Sequence, residues 1–357
     1  GPVTVEPGDH VQVRGTVSEY AGQTQLEVAA SDLTVLDEPV ALPAPVTGDW
    51  PATDAEKEAL EGMLYLPTGD FTVSNTYTTG DFGEVGLARG DRPLVQPTEV
   101  EDAQTGDIAA VEADNAARAI VLDDGSSWRF SGSGYDGEGT PPYVSLDEPV
   151  VVGAGVTFTD PVILTQGGSA SAPTYRFQPT VQVVGPANAG SPAQFEDVRT
   201  DAPDQTRINA EGTADVKVAA FNVLNYFTTL GDPDDDGVSE DGCVPYRDRE
   251  GDGNNVNNGC DQRGAWDPDD LERQQAKIVA AINALDADVV GLMEIENSAK
   301  LGEEVDEATE TLVAALNADA GAGTWAANPS STDLPALEHQ DVITNAIIYK
   351  PDAVTPV

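Results

Sequence analysis

Two apolar runs that each break off on polar residues constrain this chain more than any other feature: VKVAAFNVLNYF, from Val216, and ADVVGLMEIEN, ending at Asn297. Short, aliphatic and bounded by polar residues, both read as buried strands. Between them, WDPDDLERQQAKIVAAINALDAD reads as a helix with Asp267 as N-cap, Pro268 at its first position and Asp270 at the positive end of its dipole. Leu271, Ile278, Ile282 and Leu285 share one face of that helix. A fold that pairs the two strands brings Asn222 and Glu294 together at one sheet edge. An amide beside a carboxylate is the start of a metal-assisted site.

Around this stretch, 357 residues suggest roughly two or three domains, each long enough to bury a core. Residues 1–46 alternate polar and apolar through HVQVRGTVSEY, turn at AGQ and continue through TQLEVAASDLTVL. The segment GDHVQVRGTVSEYAGQTQL resembles part of an OB-like barrel, for which a structural role is the better expectation, because basic and aromatic residues are few. Residues 47–200 read as a β-rich domain. It has a short helix capped by Asp54, strands at MLYL, DFTVSN, AIVLDD, SWRF, VVVGAGVTF, PVILT and TYRFQPTVQVV, and a hairpin signal at Asp123, Asp124 and Gly125. The Gly- and Pro-rich GPANAGSPA suits a domain joint. Residues 214–357 then alternate strand, long loop, helix, strand, helix, strand, the pattern of a layered α/β domain. The class expected for the whole is α+β and multidomain.

Charge narrows the choice of partners. Lys+Arg 17 against Asp+Glu 63 makes a net charge of -46, so a polyanion would have to be met through bound cations. Most of these acids read as a solvated, salt-tolerant surface. No apolar run approaches the ~18 residues that a membrane span needs. GPVTVEPGDH has no leader pattern, so the expectation is an extracellular protein whose signal peptide is not in this sequence. Cys243 and Cys260 lie in one polar loop, and a disulfide between them fits an oxidising setting and contributes roughly 3 kcal/mol. Two free thiols are the alternative, since no further Cys and no nearby His complete a zinc set.

That loop reads DPDDDGVSEDGCVPYRDREGDGNNVNNG. Asp232, Asp234, Asp236 and Gly237 match the first half of a calcium loop, in which alternate carboxylates converge on a hard cation. Cys243 stands where the closing glutamate belongs, so an EF-hand is excluded, and Glu240 or Asp241 would have to close a Ca2+ site. A mobile acidic loop is the other reading, and DREGDGNNVNNG offers a poorer second set.

AAFNVLNYF, the cysteine-bearing insertion ending CDQRGAW, the helix ERQQAKIVAAI and DADVVGLMEIEN together resemble the bacterial ExeM/NucH-type extracellular nucleases. These belong to the endonuclease/exonuclease/phosphatase superfamily that includes deoxyribonuclease I. EGMLYLPTGDFTVSNTY and QPTEV resemble the region preceding the nuclease domain in that family. The resemblance implies the first half of a four-layer α/β sandwich that hydrolyses phosphodiesters, DNA first among them, with Mg2+. Glu294 matches the family's metal-ligating glutamate, and Asn222 matches the asparagine that orients metal or phosphate. Asn225 and Asn297 are then substrate-facing candidates, with Glu296 beside them. The family's histidines and later aspartates have no counterpart here; His339 does not fall at a family motif. The chain is therefore expected to stop about halfway through its catalytic domain and to be inactive alone. A phosphatase or phospholipid phosphodiesterase of the same superfamily, or a noncatalytic calcium-stabilised adhesion module, are the competing expectations.

Overall fold

Alternation at both ends of the chain produces sheet, and the computed structural model describes residues 5, 8–38, 40–130, 141–145, 147–169, 171–185, 187–199, 204–208, 215–248 and 251–357. Most of the expected boundary between 200 and 214, namely 200–203 and 209–214, and residues 249 and 250 of the second acidic set lie outside the described residues. The chain divides into two compact units, Gly1–Arg199 and Thr200–Val357, in a mixed α/β protein with several sheets.

In the N-terminal unit, β1 (Val11–Tyr20) and β2 (Gln23–Val35) pair antiparallel as a separate two-stranded ribbon. The OB-like barrel expected for residues 1–46 is corrected here. Closing such a barrel takes about five strands, and the next strand, β3 (Val46–Asp49), joins a different sheet. The ribbon steps its register at Gly15, where a Cβ would meet the Glu27 carbonyl oxygen at 2.3 Å.

The main sheet also contains β4 (Leu64–Thr68), β5 (Phe71–Asn75), β6 (Val85–Arg89), β7 (Ala119–Leu122), β8 (Gly155–Phe158), β9 (Val162–Ser169), β10 (Ala172–Pro179) and β11 (Ala193–Phe195). Its strand order is β11-β8-β5-β6-β7-β10-β9-β4-β3. Phe177 of β10 organises the core, with Trp50, Phe71 and Phe158 edge-on at 5.4, 5.9 and 5.2 Å between ring centres. Its neighbour Arg176 is buried and binds Glu84 and Asp123 at 2.5 and 2.7 Å.

Several local expectations change in this unit. Asp123 and Asp124 make no hairpin: both are buried, and their carboxylates turn back onto the N–H groups of Gly125 and Ser126. SWRF is not a strand, and β11 begins at Ala193, the last residue of GPANAGSPA, while the two units divide later, after Arg199. Thr53, one residue before Asp54, caps α1 (Asp54–Glu58) in a reciprocal box with Glu56. The four-residue α2 (Thr79–Phe82) is followed by α3 (Ile108–Arg118), a helix capped by Asp107 inside the region read as β-rich.

The short α4 (Gln205–Ile208) opens the described part of the C-terminal unit. There the layered α/β pattern is present. β12 (Val218–Tyr226) and β15 (Val289–Glu296) run parallel, joined through α5 (Pro268–Leu285), with Asp267 as N-cap. β17 (Ile343–Tyr349) and β16 (Ala326–Asn328) extend the sheet antiparallel in the order β12-β15-β17-β16. α5 and α7 (Glu307–Ala320), which follows the short α6 (Ser298–Leu301), pack on one face through Ile278, Ile282, Leu312 and Leu316. The opposite face carries Val218 (74% exposed) and Ile347 (48% exposed). The acidic loop is a folded lobe: β13 (Val244–Arg247) pairs with β14 (Gly253–Asn258), and a Cys243–Cys260 disulfide and Trp266 form its core.

Candidate functional site

β12 and β15 keep register from Val218↔Val289 to Asn222↔Met293, and then both break it. Three residues of β12 and one of β15 intervene before Tyr226↔Ile295 restores pairing. β15 slips against β17 at the same level, so that Met293 and Glu294 lie opposite Asn345 alone. The backbone takes up the mismatch by entering the left-handed region at Leu224 (φ 50°), Asn225 (φ 53°) and Glu294 (φ 59°). Each such residue other than glycine costs about 1–2 kcal/mol. Three of them at one level of a sheet, at the C-terminal ends of its parallel strands, mark the place where open α/β sheets bind ligands.

Asn222 is exposed, and its Oδ1 accepts the Leu224 N–H at 2.8 Å, which helps hold the left-handed turn. Glu294 is half-buried, and among the described residues its carboxylate makes no hydrogen bond or ion pair. Asn225 lines a cleft beside the strand end. The Gln274 side-chain amide donates to the carbonyls of Leu224 and Asn225 at 2.9 and 3.4 Å, pinning the turn from α5. Gly264 comes so near the Asn225 carbonyl oxygen that a Cβ there would sit 2.1 Å away.

Two other expected residues serve the fold. Glu296, only 1% exposed, accepts the N–H groups of Thr228 and Thr229 and the hydroxyls of Thr228 and Ser298, so it holds the chain after β12 and does not face a substrate. The Asn297 side-chain amide donates to the Gln340 Oε1 and the Asp341 carbonyl, bracing the approach to β17.

The two metal expectations fare differently against the geometry. Mg2+ takes one or two protein carboxylates and completes its shell with water and phosphate; an unpartnered Glu294 beside the exposed Asn222 fits that demand. The calcium set does not fit. Asp232, 1% exposed, spends both carboxylate oxygens on the N–H groups of Asp236 and Gly237, and the Asp236 Oδ1 takes the Val238 N–H. Asp234, Asp236 and Glu240 are exposed. Among the described residues no group of three or more His, Cys, Asp or Glu side chains is placed to hold a metal ion.

Sequence reasoning passed over Asn345, which stands exposed across from the β15 break, and the cations around the Asn225 cleft. The first has no local signal; the second lie on α5 and three residues after Cys260, and only the folded lobe brings them onto one cleft. No helix among the described residues is long and apolar enough to cross a membrane. Comparison of the chain with protein-family models, with curated proteins and with solved structures gives no match.

Proposed function

We propose that the C-terminal unit carries the metal side of a secreted, Mg2+-dependent phosphodiesterase, an extracellular nuclease with DNA as its first substrate class. The observation that carries this reading is the shared register break, which leaves Glu294 unpaired on a left-handed backbone at the strand ends beside Asn222. Glu294 would hold Mg2+, and Asn222 would orient the metal or a phosphate oxygen. Bound there, the ion supplies charge neutralisation at a nonbridging phosphate oxygen. The rest of the family expectation belongs to the same proposal. The chain would form the first half of a four-layer sandwich, whose second sheet would cover the face bearing Val218 and Ile347. The Cys243–Cys260 disulfide is compatible with an extracellular setting.

Metal binding is the direct test. Mn2+ titrated into residues 1–357 and followed by electron paramagnetic resonance should bind at one site, be displaced by Mg2+, and weaken at least tenfold in Glu294→Gln. Glu294→Gly should abolish the site and, by relieving the left-handed strain, leave the fold as stable or more stable by up to about 1 kcal/mol. Equal Mn2+ affinity in wild type and both variants would sink the reading.

A further inference from the structure

The cleft beside Asn225 reverses the charge of the molecule. Over the chain, acids outnumber bases 63 to 17. In this cleft of about 500 Å3, Arg263, Arg273 and Lys277 meet a single carboxylate, Asp270, and much of the remaining lining is amide. Asp270 already pairs with Arg273, and burial pushes its pKa up. Lys277 is exposed and makes no ion pair among the described residues; Arg263 is half-exposed, and its contact with Asp341 is long, at 3.5 Å. Tyr246 presents an exposed ring on the rim.

These groups come from three parts of the fold brought together for separate reasons. Lys277 and Arg273 stand one turn apart on α5, as their spacing of four residues requires. Arg263 follows Cys260 and is fixed by the disulfide lobe, while Asn254, Asn255 and Asn258 come from β14. Leu224 and Asn225 also line the cleft, so it abuts the strained turn that begins at Asn222. A cation cluster lined by neutral hydrogen-bonding amides, with an aromatic ring at its mouth, suits a phosphate with its attached nucleoside.

We propose that this cleft is a nucleotide subsite that grips the phosphodiester backbone next to the position served by Asn222 and Glu294. It deepens the phosphodiesterase reading and rests on it. It also answers the difficulty that the net charge raises: a polyanion opposed by the overall acidity of the chain would meet cations at this cleft.

The test measures fluorescence anisotropy of a labelled single-stranded 12-nucleotide DNA with residues 1–357, in EDTA so that no metal contributes. Arg263→Gln/Lys277→Gln should bind at least tenfold more weakly than wild type. It should also flatten the slope of log affinity against log salt by about 1.4, from about 0.7 for each lost contact to a single strand. Arg92→Gln/Arg129→Gln removes the same charge from exposed positions in the other unit and should bind within twofold of wild type. Both double variants alter exposed side chains, and their thermal melting should match wild type. Absence of DNA binding by wild type overturns the subsite, as does equal weakening by the two double variants. Displacement by a heparin oligosaccharide at lower concentration than by unlabelled DNA overturns the nucleic-acid assignment. Mn2+ binding lost in Glu294→Gln with no DNA binding would discard the subsite alone; DNA binding through the cleft with no Glu294-dependent Mn2+ site would discard the metal reading alone.

Discussion

Asp124 shows how much a single side chain can hide from sequence reading. Asp-Asp-Gly is a turn signal, and the turn exists, but the residue that should cap an exposed hairpin is fully buried. Burial, followed by its own turn contacts and the nearby Asp123 carboxylate, leaves its pKa raised to about 6 from the ordinary 3.8. A carboxyl whose pKa is higher folded than unfolded contributes stability that is complete below about 3.8 and is lost as pH rises through 6. Two units at ~1.4 kcal/mol each make that contribution about 3 kcal/mol at most. Urea unfolding of the N-terminal unit at pH 7 and pH 4 should therefore show a gain on acidification that shrinks in Asp124→Asn. Identical pH dependence in both proteins would remove the argument. Asp286 of the other unit works in the opposite sense: Lys217 and Lys350 hold its pKa down at about 2, so its contribution is complete above about 3.8 and is lost as pH falls through 2. Glu294 and Asn222 were legible because apolar runs stop at them. The left-handed φ at Glu294 was not, since it arises from a mismatch with two neighbouring strands.

Among the elements, those with a strong period or a full set of caps were readable, and α5 is the clearest, from the Asp267 cap to its buried Ile278 and Ile282. The disulfide-bonded lobe was not. VPYR and GNNVNN carry almost no apolar alternation, and they become a ribbon because Cys243–Cys260 closes one end while Trp266, from outside the ribbon, fills its centre. Gly231 and Gly253 flank that indole so closely that a Cβ would lie 2.5 and 2.4 Å from ring atoms. Gly253→Ala should therefore displace Trp266 and loosen the lobe by about 1–3 kcal/mol, while reduction of the disulfide should cost about 3 kcal/mol. Limited proteolysis would show both as faster cleavage within 231–262, with the helical circular dichroism of α5 and α7 retained. If Arg263 depends on the lobe, reduction should also weaken the DNA binding expected of the cleft. Unchanged cleavage rates in Gly253→Ala would mean that the indole has room the packing does not show.

At the scale of the molecule, the charge that argued against a nucleic-acid partner becomes a statement about stability. With 17 bases for 63 acids, most carboxylates have no cation to meet, and the ion pairs among the described residues, such as Arg89 with Asp49 and Arg118 with Asp114, engage only a minority of the acids. The remaining acids repel one another over a distance set by salt: about 30 Å at 0.01 M and 3 Å at 1 M. Folding concentrates these charges, so repulsion weighs more on the folded chain than on the expanded one. Raising NaCl from 0.01 to 0.5 M should therefore raise the melting temperature by several degrees, with KCl giving the same shift, because screening depends on ionic strength and not on the ion. The same salt series should weaken DNA binding at the cleft, where the interaction is attractive. Opposite responses of stability and binding in one titration separate a diffuse acidic surface from a local basic site. A melting temperature indifferent to NaCl would show that the surface acids are too far apart to feel one another, and the charge reversal at the cleft would then lose its physical meaning.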